Sequence, residues 1–114
     1  VYHSVNPVAI RACPQLFIQN ERHVSILETK NFGLLAMIEV GAMCVGKIVQ
    51  SYSKKEFRRG QEKGYFLFGG STVILIGQKG IWSPSVDLVQ NTKNKRETLI
   101  RLGEEIGVKN QSQL

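Results

Sequence analysis

The sequence has little of what marks a specialised class of protein. Its two cysteines, Cys13 and Cys44, are too few for a disulfide framework and too far apart for a redox or metal-binding motif. Neither of its two histidines, His3 and His23, has a second His or Cys at metal-ligand spacing, so no zinc or other metal site is expected. No apolar run approaches the roughly 18 residues that a membrane-spanning helix needs. Residues Val1 to Pro7 lack the basic start and apolar stretch of a secretory signal. No basic segment is interleaved with aromatic residues in the manner of an RNA-binding surface, and nucleic acid is not an expected partner.

What remains is an ordinary globular composition, 42% hydrophobic and 21% charged over 114 residues. Such a chain makes one domain or a piece of one. Because Tyr2, Val5 and Val8 already belong to a folded pattern, residues 1–114 are expected to form a single domain whose natural N-terminal portion is absent. The net charge is +6, and the cations cluster. Lys54, Lys55, Arg58 and Arg59 make one group and Lys93, Lys95 and Arg96 another. Solvated loops are the ordinary explanation of such runs, and an anionic lipid surface is the partner they would otherwise suit.

The local pattern is β almost throughout. Val24–Thr29 and Leu34–Val40 are rich in strand-forming residues and are separated by Lys30, Asn31, Phe32 and Gly33, which reads as a hairpin. Lys47–Gln50, Tyr65–Phe68 and Thr72–Ile76 are further extended runs, and the polar, basic residues 51–63 read as a surface loop. Ser83-Pro84 carries the one helix signal, a cap with proline at the first helical position, for a short helix ending near Asn91. Thr98–Leu102 reads as a last strand. Gly60-Gln61-Glu62-Lys63-Gly64 and Gly103-Glu104-Glu105-Ile106-Gly107 share a form that suits tight turns in small β-sandwiches. The expected fold is therefore mostly β: a compact sandwich of short strands, similar to a barrel-sandwich hybrid, with at most one short helix.

Gly69-Gly70-Ser71-Thr72 lies between two of the apolar runs. By itself it suits a simple bend. Flanking strands so apolar should, however, be buried, leaving the Ser71 hydroxyl in partly desolvated surroundings. Two preceding glycines also leave the Gly70 carbonyl open to attack by that hydroxyl.

A wider set of blocks carries a resemblance. Ser4-Val5-Asn6-Pro7, Asn20-Glu21-Arg22, Val40-Gly41-Ala42 with Val45-Gly46, Lys63 through Val73, and Glu97 through Glu104 together resemble the phosphatidylserine decarboxylase family, in the family's order. The Gly-Gly-Ser-Thr form of the motif is similar to one branch of that family, whereas many bacterial members have Leu-Gly-Ser-Thr. The resemblance implies a proenzyme that cuts itself between Gly70 and Ser71, giving residues 1–70 as part of a β-chain and 71–114 as an α-chain. It implies that Ser71 becomes a covalent pyruvoyl group, the cofactor, which forms a Schiff base with the substrate amine and accepts electrons as CO₂ leaves. Gly70 supplies the scissile carbonyl, Gly69 backbone freedom, and Thr72 or nearby amides donors for the oxyanion. The partners implied are a phospholipid substrate, an anionic membrane surface bound peripherally, an upstream segment carrying an Asp-His base, and a second copy in a homo-oligomer. Neither His3 nor His23 takes the place of that base; His23 reads as a strand residue. Two other readings remain at this point. One is a pyruvoyl enzyme acting on a soluble amino acid. The other is a carrier-like or interaction domain, for which Lys63 is the nearest attachment lysine.

Overall fold

A computed structural model describes residues 20–42, 47–68 and 71–111. The described residues form seven strands and one helix: β1 (Arg22–Thr29), β2 (Gly33–Val40), β3 (Lys47–Gln50), β4 (Gly64–Leu67), β5 (Thr72–Gly77), β6 (Trp82–Pro84), α1 (Val86–Lys93) and β7 (Gly107–Lys109). They make a three-stranded sheet in the order β1-β2-β5 and the two-stranded pairs β3-β4 and β6-β7. The chain is mostly β with one short helix among the described residues, as expected, and none of the sheets closes into a barrel. The chain folds as two compact units, residues 1–25 with 36–75 and residues 26–35 with 76–114.

In the first unit, β3 and β4 are antiparallel, with Lys47 opposite Leu67 and Gln50 opposite Gly64. The buried apolar side chains among the described residues are Val40, Ala42 and Ile48, and Asn20 and Glu39 are buried beside them in the sequence of this same unit. Two separated sequence blocks meet here. The Gly41 amide donates to the Glu21 carbonyl at 2.8 Å, and the Asn20 side-chain amide donates to the Gly41 carbonyl, also at 2.8 Å. Both polar groups of the buried Gly41 backbone are thereby satisfied, as burial demands.

In the second unit the turn between β1 and β2 is closed by Thr29. Its hydroxyl donates to the Gly33 carbonyl at 2.7 Å and accepts from the Phe32 amide at 2.9 Å, and Gly33 takes a φ of 64°. β6 and β7 are antiparallel, pairing Trp82 with Lys109 and Pro84 with Gly107. The Trp82 indole lies against Gly77 and Gly107; a Cβ on either glycine would overlap it.

Three sequence expectations change. Ser83 and Pro84 do not start the helix; they pair with Val108 and Gly107 in β6-β7, and Ser85 becomes the N-cap residue, without a side-chain capping bond. Proline is tolerated at the end of a two-stranded edge, where its missing N–H costs no ladder bond. The helix runs on to Lys93, where Asn94, Lys95 and Arg96 donate to carbonyls of its last turn and Lys95 takes a φ of 58°. Thr98–Leu102 is not a strand. Leu99, Ile100 and Leu102 are exposed, and the last strand is Gly107–Lys109. Strand propensity reflects packing against neighbours, and this segment has no paired strand among the described residues. β4 and β5 are also less buried than their composition predicts, with Tyr65 47%, Val73 46% and Ile76 55% exposed.

The Trp82 packing yields a direct test. Gly77→Ala should destabilise the protein by about 1–3 kcal/mol, the usual cost of overpacking, read as a lower urea midpoint with an unchanged denaturant slope.

Candidate functional site

Of the residues singled out in the sequence, Ser71 has the most unusual setting. It immediately precedes β5, whose first residue, Thr72, is half-buried. The Ser71 hydroxyl oxygen is buried and makes no hydrogen bond among the described residues. An enclosed hydroxyl without a partner costs about 1–3 kcal/mol. Native folds satisfy the large majority of such groups, and the exceptions call for an explanation such as a catalytic role. Gly69 and Gly70 lie outside the described residues, so the bend expected at Gly70-Ser71 and the Gly70 carbonyl lie outside them too.

The approach to that bend is described. β4 ends at Leu67, and Phe68 has a φ of 64° with its side chain 78% exposed. A bulky non-glycine residue in the left-handed region is a genuine outlier, costing of order 1–3 kcal/mol, and such residues cluster at functional sites. Strain at Phe68 and an orphaned hydroxyl at Ser71 therefore flank the Gly69-Gly70 dipeptide.

A second feature of the same unit escaped the sequence reading: a polar cluster with a buried carboxylate. Glu39, on β2, is 4% exposed and forms an ion pair with the Lys63 ammonium. Gln50, at the end of β3, completes the arrangement. Its amide nitrogen donates to Glu39 Oε1 at 3.1 Å and lies 3.1 Å from His23 Nδ1, while its carbonyl oxygen accepts from Lys63 Nζ at 2.7 Å. Every polar atom of the Gln50 side chain is used, which fixes the orientation of the amide. A buried carboxylate needs such compensation. One signal was available: Glu39 is the single charged residue in the apolar run Leu34–Val40.

This placement corrects the carrier-lysine reading. Lys63 does not stand at a hairpin tip; its side chain is 26% exposed and its ammonium is engaged by Glu39 and Gln50. An attachment lysine must offer a free amine. His23 takes the position expected of it, in a strand: it lies in β1, half-buried, with Nε2 3.9 Å from Glu21 Oε1.

The loop between β3 and β4 carries the first basic group. Tyr52, Lys54, Glu56, Phe57, Arg58 and Gln61 line a cleft of about 300 Å³. Phe57 is 46% exposed, and neither Lys54, Lys55, Arg58 nor Arg59 forms an ion pair among the described residues. The second basic group is different in kind. Lys93 occupies the last turn of α1, where a cation offsets the negative end of the helix dipole.

Comparison with known proteins finds a family match along nearly the whole chain. The family model of phosphatidylserine decarboxylase matches residues 1–108. The chain is 50% identical over 109 residues to a phosphatidylserine decarboxylase proenzyme of Clostridium tetani (strain Massachusetts / E88), covering 95% of this chain and 37% of that protein. It is 48% identical over 109 residues to the proenzyme of Clostridium perfringens (strain ATCC 13124), with the same coverage. With the proenzyme of Clostridium kluyveri it shares 46% identity over 111 residues, 96% of this chain and 38% of that protein. The chain thus spans little more than a third of the length of these relatives. No solved structure gives a significant match. A family-model match along nearly the whole chain, with relatives about half identical to it, places this chain in the phosphatidylserine decarboxylase family.

Proposed function

We propose that this chain is the C-terminal part of a self-cleaving, pyruvoyl-dependent phosphatidylserine decarboxylase, with residues 1–70 ending the β-chain and 71–114 forming the α-chain. The observation that carries the proposal is the enclosed, unpartnered hydroxyl of Ser71. A hydroxyl held out of water, with no hydrogen-bond partner among the described residues, is free to act as a nucleophile, and the carbonyl of the preceding residue is the electrophile its own chain supplies.

In the first step Ser71 Oγ attacks the Gly70 carbonyl carbon, a C–O bond forms, and the Gly70–Ser71 C–N bond breaks. The amide becomes an ester and the Ser71 amine is released. Removal of the Ser71 α-proton then expels the Gly70 carboxylate and leaves a dehydroalanine at position 71. Addition of one water and loss of one ammonia convert this to the pyruvoyl end. A base for the hydroxyl and α protons is required; we assign it to the upstream Asp-His pair, since His23 is tied to Gln50. Thr72 or neighbouring amides serve as oxyanion donors. The strained Phe68 and the two glycines after it allow the carbonyl to turn toward the hydroxyl. The pyruvoyl group supplies an electron sink for decarboxylation of an α-amino acid unit. Residues of this chain hold it at the start of β5.

Peripheral association with an anionic membrane, where the phospholipid substrate resides, is supported by the loop of residues 51–63. Its four cations, without an ion pair among the described residues, and its exposed Phe57 match the combination of charge and apolar contact that lipid surfaces bind. No described helix is long and apolar enough to cross a membrane. Assembly with a second copy is left to sizing of the full-length protein.

Two predictions follow from this reading. The purified full-length protein should run as two chains on a denaturing gel, the smaller starting at position 71 and lighter by one ammonia than a serine-initiated chain. Ser71→Ala should stay uncut and release no CO₂ from phosphatidylserine vesicles, and an uncut wild-type protein with unmodified serine would refute the proposal. Comparing CO₂ release from phosphatidylserine with release from free amino acids identifies the substrate. Second, replacing Lys54, Lys55, Arg58 and Arg59 together by Gln should weaken binding of the full-length protein to phosphatidylserine-containing vesicles by at least about tenfold, given roughly 1 kcal/mol per cation. Binding to purely phosphatidylcholine vesicles should change little, and raised salt should erase the difference.

A further inference from the structure

The polar cluster around Glu39 is not used by the chemistry above, yet it sits at the entrance to the strand that leads into the cleavage motif. Lys63 is the residue before β4, and β4 runs through Leu67 to Phe68 and the two glycines. The hydrophobic pattern of β4 specifies its register poorly. The strand has four residues, Gly64–Leu67, and its last two, Phe66 and Leu67, are both half-buried although neighbours in a strand point to opposite faces. A strand of this kind is prone to slip by one residue, which reverses every side chain.

Two independent observations oppose such a slip. The first is the engagement of Lys63 by Glu39 and Gln50, from β2 and β3 respectively. A one-residue shift would leave the buried carboxylate of Glu39 without its cation, and breaking a buried pair is far more costly than never having made one. The second is Gly64. A Cβ at this position would overlap the Val49 carbonyl oxygen and lie 3.2 Å from Gln50 Cα, so the backbone of β3 approaches more closely than any other residue type permits. Slipping either way would bring Lys63 or Tyr65, each with a Cβ, into that space.

Register matters here because the link to β5 is short. Residues 68–70 separate the end of β4 from Ser71, and three residues span at most about 10 Å. A slip of one residue moves the end of β4 by about 3.3 Å. That is comparable to the whole separation, about 3–3.5 Å, at which two reacting atoms must be held.

Building on the cleavage proposed above, we infer that Lys63 is a positioning residue for self-cleavage. Paired with Glu39 and Gln50, and backed by the Gly64 contact with Val49, it sets the register of β4 on β3 and so holds the Gly70–Ser71 peptide where the hydroxyl can attack it. Buried polar groups are best attested in such a register-setting role.

The test uses the full-length proenzyme, obtained uncut by rapid purification or from a translation reaction, with wild type, Lys63→Met, Lys63→Arg and the double variant Glu39→Leu with Lys63→Met. Folded monodisperse protein is isolated first. The first-order rate of cleavage is then measured on that population alone, with and without hydroxylamine, which captures the ester at Gly70 as a hydroxamate. Lys63→Met should cleave at least tenfold more slowly than wild type even when fully folded, and should yield correspondingly less hydroxamate. Lys63→Arg, which can still reach Glu39, should recover most of the rate. The double variant, with no carboxylate left unpaired, should recover melting temperature but not rate, because the pair that sets the register is gone. Folded Lys63→Met that cleaves at the wild-type rate, or a double variant whose rate recovers along with its stability, would overturn the inference. A wild-type protein that never cuts at this bond would instead overturn the cleavage proposal, so the two failures are distinguishable.

Discussion

A buried carboxylate governs the organisation of the first unit. Glu39 is almost wholly withdrawn from solvent, and nothing apolar can compensate it. Its partners come from segments well apart in sequence: Lys63 from the end of the basic loop and Gln50 from β3, with His23 of β1 reached through Gln50. One unsolvated charge therefore gathers four segments of backbone around a single point. The apolar core of this unit, Val40, Ala42 and Ile48 among the described residues, is small by comparison. Apolar burial there is weak in specifying which strand lies where, and the polar contacts carry that specification.

Much of the fold could be read from local pattern. The hairpin of β1 and β2, the strand at Lys47–Gln50, the unstructured basic loop and the strands on either side of Gly69-Gly70 all follow from alternation and turn residues, and all are present. The errors fall where tertiary pairing overrides local signals. Ser83-Pro84 has the local chemistry of a helix start, but β7 offers it a strand partner about two dozen residues further on; the helix then begins at the next opportunity. Thr98–Leu102 has the composition of a strand but no neighbour to bond with among the described residues, and composition alone cannot supply one.

The candidate site was legible in a different way. Ser71 stood out through its neighbours and the resemblance they carry; the structure adds what no pattern contains, that its hydroxyl is enclosed and unpartnered. The left-handed Phe68 could not be foreseen, because nothing in the sequence marks an aromatic residue for that conformation. Glu39 and Lys63 were each visible as isolated oddities, an acid in an apolar run and a lysine between glycines. Joining them required knowing that residues twenty-four apart fold against each other.

The sheet order β1-β2-β5 has a bearing on what happens to the ends of a severed chain. β5 begins one residue after the proposed cut and is hydrogen-bonded to β2, which lies on the other side of it in sequence. The two fragments would remain laced together by main-chain bonds and part only under denaturing conditions. The freshly made terminus would stand one residue ahead of β5, with almost no tail between it and a strand bonded to the other fragment.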